Sequence, residues 1–375
     1  MQSASCSLVQ ATRTGASALF DECGGRVAAG RPRNGELRTG MREFQATVGY
    51  AGGGLRPGMR EFQRSLCRSG YSPDMSETTV RPERAFGSVA VAMVTPFHED
   101  GSLDIDSAVS LASRLVDEGC DCILLSGTTG ESPTTHQPEK DDLVREVKAE
   151  IGGRAMVLAG AGSNDTAHAV RIAQGAAASG ADGLLVLAPY YNRPSQEGVY
   201  QHITAVTDAT ELPVIVYDIP GRTGVKIEFD TLKRLAEHPR IKAVKDATGD
   251  VAGGFVKMAA TGLEYYSGDD ALNFAWLAHG ASGVISVVGH VIASGLRALV
   301  NEVDAGDLPA ARAEAARQRP IIQAIMGGGQ GAVMAKEALK MMGAIPSATL
   351  RLPLVGASRA ELGELANSLR AYGLI

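Results

Sequence analysis

The sequence predicts a (β/α)8 barrel of the TIM type, with additional C-terminal helices packed outside it. Three observations carry that prediction. From Phe86 onward, eight short apolar runs alternate with segments of helical period. The runs are apolar almost throughout rather than every second residue, which means burial on both faces, as in a parallel sheet. No Gly-rich dinucleotide turn follows the first run, where Val94-Thr95-Pro96-Phe97 stands instead, so a doubly wound open sheet is disfavoured. Eight strand and helix pairs over about 200 residues then describe a closed barrel.

The elements follow in order. A strand over Val89–Pro96 leads to a helix over Asp104–Glu118, and a second strand, Cys122–Gly127, to a helix over Pro138–Ile151. Pro138 suits a helix start, where its missing N–H would have had no partner. The third pair is Met156–Gly162 with Asp165–Ser179, and Asp165 reads as an N-terminal signal. The fourth is Gly183–Pro189 with Gln196–Ala209, the fifth Pro213–Tyr217 with Glu228–Glu237, the sixth Ile241–Asp246 with Val251–Ala260. The seventh is Glu264–Gly268 with Asp270–Ala278, and the eighth strand is Gly283–Val288. From about Val291 to Ile375 the pattern predicts further helices outside the barrel. The expected division is an extension over 1–82, a catalytic barrel over 83–300 and a helical region over 301–375.

The extension differs from the rest in texture. Residues 1–74 hold ten Arg, no Lys, six acidic residues and twelve Gly, with no sustained period of 3.6 or 2. Leu37-Arg-Thr-Gly-Met-Arg-Glu-Phe-Gln45 recurs as Leu55-Arg-Pro-Gly-Met-Arg-Glu-Phe-Gln63, but two copies do not build a solenoid. The segment is read as disordered or outside the mature protein, with Met75 as the suspected start; a basic tail and a targeting peptide are the alternatives.

The whole chain has 375 residues and a net charge of −6, and the first 74 contribute +4, leaving −10 on the remainder. That balance argues against nucleic acid or an anionic membrane as partner. No apolar run approaches the roughly 20 residues of a membrane span. The five Cys are too scattered for a disulfide framework, and Cys120 and Cys122 read as small buried residues at a strand start. A reduced, cytoplasmic protein is expected. The seven His form no His-x-His cluster and Cys120-Asp-Cys122 lacks a second ligand pair, so no metal is expected.

Barrel chemistry sits at the carboxyl ends of the strands. There the sixth strand carries Lys245, preceded by Ile241, Ala243 and Val244. A lysine in apolar surroundings loses hydration, its pKa falls, and the free amine can attack a carbonyl. Pairing with Asp246 or another carboxylate is the competing structural reading. Tyr217 and Tyr191 supply phenols at neighbouring strand ends, and Gly127-Thr128-Thr129-Gly130 supplies N–H and hydroxyl donors suited to a carboxylate. Together they describe an amine-dependent lyase or aldolase acting on a 2-keto acid.

The same residues carry a resemblance. Gly127-Thr-Thr-Gly-Glu-Ser132, Tyr190-Tyr-Asn-Arg-Pro194, Tyr217-Asp-Ile-Pro-Gly-Arg-Thr-Gly224, Lys245-Asp-Ala-Thr-Gly249, Ser267-Gly-Asp-Asp270 and Gly283-Val-Ile-Ser286 stand in order. In this the chain resembles the dihydrodipicolinate synthase / N-acetylneuraminate lyase family of pyruvate-dependent class I aldolases, over essentially 86–375. The resemblance implies that Lys245 forms an imine with pyruvate and that no other cofactor is needed. It implies a proton relay of Tyr217, Thr128 and Tyr191, with Tyr191 reaching across a subunit interface. Thr128 and Thr129 would hold the pyruvate carboxylate, and the Ile285 carbonyl and Gly268 would line the pocket. Arg222 would receive the carboxylate of aspartate semialdehyde, a geometry that suits a guanidinium fork.

The implied activity is condensation of pyruvate with aspartate semialdehyde to 4-hydroxy-tetrahydrodipicolinate, entering diaminopimelate and lysine synthesis, in a homotetramer built as a dimer of dimers. A sibling aldolase for 2-keto-3-deoxy sugar acids or sialic acid, and a silent family member acting as a binding protein, are the alternatives. Lysine-inhibited members place two His and a Glu where this chain has Gln137, Lys140 and His168, although Ser132, Asn164 and Tyr190 are kept. A cation at Lys140 implies weak feedback by lysine or none; the competing reading makes these three ordinary solvated helix residues.

Overall fold

The computed structural model describes residues 84–375 except position 329, and the expectations for 1–82 lie outside the described residues. Eight strands close into a parallel barrel in sequence order: β1 (Val89–Ala92), β2 (Cys122–Leu125), β3 (Met156–Gly160), β4 (Gly183–Leu187), β5 (Val214–Asp218), β6 (Ile241–Asp246), β7 (Glu264–Ser267) and β8 (Gly283–Ser286). β8 closes on β1 with Ala90 opposite Ile285 and Val91 opposite Ser286. The helices after β1 to β8 are α1 (Ile105–Asp117), α2 (Gln137–Ile151), α3 (Thr166–Ala178), α4 (Gln196–Asp208), α5 (Phe229–Ala236), α6 (Val251–Thr261), α7 (Asn273–Ala278) and α8 (Gly289–Asp304). Three more follow, α9 (Leu308–Met326), α10 (Gly331–Met341) and α11 (Arg359–Tyr372).

Side-chain alternation explains why the strands read as apolar throughout. On β2, Cys122 and Leu124 face the barrel interior with Ala90, Leu158, Leu185, Ile215 and Ala243, while Ile123 and Leu125 face the helices. Phe86 meets Tyr266 edge to face at 6.2 Å within that interior layer. Cys120 and Cys122 are buried free thiols, as the structural reading expected. Helix starts follow local chemistry: Asp104, Asp165, Ser195 and Asp250 each accept from a backbone N–H in the first turn.

The structure departs from the sequence reading at the strand ends. The first strand stops at Ala92 instead of Pro96, because the Val94 N–H donates to His290 Nε2 at 2.9 Å and Thr95 Oγ1 donates to the Gly130 carbonyl at 2.7 Å. The helix expected over Asp270–Ala278 splits into a 3-10 turn at Asp270–Leu272 and the short α7. The Asp270 carboxylate there accepts from the Val287 and Val288 N–H groups at 2.9 and 3.0 Å, tying the β7 loop to β8. A helical turn at Pro220–Thr223 and a 3-10 turn at Ser132–Thr134 stand between the expected strands and helices. Among the described residues no helix is long and apolar enough to cross a membrane.

Candidate active site

Lys245 ends up inside the barrel mouth, 4% exposed. The β5–β6 register sets it directly beside Tyr217, and its ammonium lies 4.4 Å from the centroid of the Tyr217 ring. Burial lowers its pKa to about 8; Asp270 opposes the shift and Arg222 adds to it. Burial pushes the Tyr217 phenol up, so it stays protonated at neutral pH. Gly268 leaves room for the lysine: a Cβ there would lie 3.1 Å from Lys245 Cε and 3.0 Å from the Asp246 carbonyl oxygen.

Lys245, Tyr217, Thr128, Thr129, Arg222 and Gly268 line one cavity of 340 Å³. Thr128 and Thr129 hang on a turn bracketed by two strained residues, Ser126 and Glu131, both at φ 53. A side chain in that left-handed region costs on the order of 1 kcal/mol or more and persists only where its surroundings impose it. Arg222 rides on the helical turn after β5, and Thr223 secures that turn by donating to the Ile219 and Val225 carbonyls. An amine poised to lose its proton, a neutral phenol beside it and a donor-rich turn facing both can form and rework an imine.

Two expected residues fall outside the cavity lining. Ile285 is opposite Ala90, one interior layer beneath Ala92, which does line it. Tyr191 stands on the surface, 88% exposed, on left-handed backbone at φ 71. Sequence reasoning in turn missed Gln323, Met326 and Gly327, which bring the end of α9 over the mouth. No local pattern in α9 signals that placement, since only the packing of α9 against the barrel creates it.

A second cavity, of 410 Å³, shares Gly127, Thr128, Tyr217 and Arg222 with the first and extends to Ser132, Gln137, Lys140, Asn164, His168 and Tyr190. Lys140 is 7% exposed and donates to the Ser132 carbonyl at 2.9 Å, so the reading of it as a solvated helix residue is corrected. His168 is exposed and Gln137 half-buried. Among the described residues no group of three or more His, Cys, Asp or Glu could hold a metal ion.

Fold and mouth together define a barrel lyase that works through a lysine imine. The family model of the dihydrodipicolinate synthetase family matches residues 85–372. The 4-hydroxy-tetrahydrodipicolinate synthase of Corynebacterium jeikeium is 51% identical over 291 residues, covering 77% of this chain and 96% of that one. Among solved structures, the chloride-inhibited dihydrodipicolinate synthase of Acinetobacter baumannii in complex with pyruvate is 36% identical at a TM-score of 0.75, over 78% of this chain and 100% of that one. The enzyme of Cyanidioschyzon merolae with lysine bound is 37% identical at the same TM-score of 0.75, over 78% of this chain and 99% of that one. The chain belongs to the dihydrodipicolinate synthetase family.

Proposed function

We propose that the chain condenses pyruvate with L-aspartate 4-semialdehyde to give 4-hydroxy-tetrahydrodipicolinate, the committing reaction of diaminopimelate and lysine synthesis. The observation that carries this is the buried Lys245 amine beside Tyr217 in one cavity with the Thr128–Thr129 turn. The free amine attacks the keto carbon of pyruvate, water leaves, and an imine forms. Loss of a methyl proton then gives the enamine, with the imine nitrogen as electron sink, so the chemistry calls for no added cofactor. The enamine carbon attacks the aldehyde, and the amino group of the second substrate closes the ring as Lys245 is released.

Tyr217, held neutral, passes protons rather than acting as a phenolate. Thr128 and Thr129 hold the keto-acid carboxylate, and Thr128 and Tyr191 complete the relay. Arg222, on the rim of both cavities, receives the carboxylate of the semialdehyde, which favours that substrate over a neutral sugar aldehyde. Gly268 lines the pocket, and Ile285 lies in the layer beneath it. An exposed Tyr191 suits a phenol offered to a neighbouring copy, within a homotetramer arranged as a dimer of dimers. The free thiols of Cys120 and Cys122 suit a cytoplasmic protein.

The test is a coupled assay with both substrates, alongside borohydride trapping of pyruvate and mass mapping of the labelled peptide. Turnover with semialdehyde and label at Lys245 are expected. Trapping without turnover would move the chain to another aldehyde.

A further inference from the structure

The turn that bears Thr128 and Thr129 is fastened from an unexpected direction. Its last residue, Glu131, is buried in the left-handed region and cannot hold that conformation by its own preference. One carboxylate oxygen of Glu131 accepts from Lys336 Nζ at 2.5 Å, and the other from the Arg351 backbone N–H at 3.0 Å. Lys336 belongs to α10, far from the barrel strands in sequence, and is 0% exposed. Its ammonium also donates to the Thr349 carbonyl at 2.7 Å and lies 4.2 Å from the centroid of the Phe97 ring.

The clamp continues on both sides. Arg351 covers the same ring at 4.2 Å and donates to the carbonyls of Gly101 and Thr134 and to the Glu139 carboxylate at 2.8 Å. Inside the turn, the Glu131 N–H donates to the Thr128 carbonyl at 3.1 Å, and Ser132 N–H to the Gly127 carbonyl at 3.2 Å. Glu131 is thus one hydrogen bond removed from the residue that faces the substrate. A buried ion pair contributes little net stability compared with apolar packing of equal volume. Lys336 instead over-determines a strained residue next to the donors, which is where preorganisation matters.

We propose that Lys336 is a positioning residue for the keto-acid site: through Glu131 it holds the Gly127–Glu131 turn in the shape that presents Thr128 and Thr129 to the pyruvate carboxylate. The C-terminal helices are then part of the pyruvate site and not only its outer packing. This rests on the reading of that turn as the carboxylate cradle.

The experiment compares wild type with Lys336→Met, Lys336→Arg and the double variant Glu131→Gln/Lys336→Met, which leaves no lone buried charge. Each is measured for melting temperature, steady-state kinetics with both substrates, and the pyruvate concentration that half-saturates borohydride trapping. Lys336→Met should raise the pyruvate KM and the trapping half-saturation about tenfold or more, with the semialdehyde KM changed less than about twofold. Lys336→Arg should restore most of that loss, because the charge is kept. If Lys336→Met does not fold, the double variant decides, and it too should show weakened pyruvate binding in folded protein. Folded variants with unchanged pyruvate half-saturation, or a uniform loss that follows only the fraction folded, would overturn the proposal. Wild type that fails to trap pyruvate at all would strike the reading of the site instead.

Discussion

The protonation of Lys245 is set by what surrounds it. A solvated lysine keeps its proton far above neutrality, whereas burial in the mouth brings Lys245 to about 8, with Asp270 holding back part of the shift. Only the neutral amine attacks a carbonyl, so the rate of imine formation should rise with pH through about 8 and level off above it. Trapping rates measured from pH 6 to 10 check this, and a flat profile would contradict it. Lys245→Ala should abolish trapping altogether, and label found at another lysine would move the site. The proposed role of Arg222 concerns the other substrate. Arg222→Ala should leave pyruvate trapping nearly intact while removing about 2–4 kcal/mol of transition-state binding, roughly 30- to 1000-fold in kcat/KM for the semialdehyde. Equal damage to both substrates would make Arg222 a structural residue. Lys245, Tyr217 and the Gly127–Gly130 turn were legible because their chemistry is unusual at strand ends. Lys336 was not: a lysine in a helical pattern reads as solvent-facing until its burial is known.

Elements matter here mainly where they stop. Ser126, at φ 53, follows directly on β2, and Gly160 of β3 presses against it. A Cβ on Gly160 would stand 2.3 Å from the Ser126 carbonyl oxygen and 3.2 Å from the Gly127 nitrogen, both backbone atoms that cannot rotate away. Gly160→Ala should therefore displace the start of the threonine turn, costing about 1–3 kcal/mol of stability and weakening pyruvate binding. Thermal melts and the pyruvate KM are the measurements; a variant unchanged in both would mean the turn shifts freely. The eight strands and their helices were legible from periodicity and doubly buried runs. Their ends were less so, because capping partners such as His290 for Val94 come from the far side of the chain.

At the scale of the whole molecule, every strand and every cavity-lining residue described lies between 84 and 375, and the family match spans 85–372. Deleting residues 1–74 should leave turnover unchanged and the melting temperature within about 2 °C. A larger drop would show that the segment packs against the barrel. The second cavity bears on regulation, since an effector must bind tightly before it can shift an equilibrium. The ammonium of a free lysine there would meet buried Lys140, and the exposed His168 supplies no anion. A like charge a few ångströms away is worth on the order of 1–4 kcal/mol in a half-buried site. Free lysine should accordingly inhibit weakly or not at all at saturating pyruvate. Clear inhibition at submillimolar lysine would sink that expectation.

By itself the sequence determined the barrel, the order of its strands and the lysine, phenol and threonine turn at its mouth. Each of those is written locally, in runs of buried residues or in polar groups placed where a strand must end. Tertiary structure alone decided that Lys140 is buried, that α9 roofs the mouth and that Lys336 grips Glu131 across 205 positions of chain. The physical reason is that periodicity reports which face of an element is covered, and not which distant element covers it.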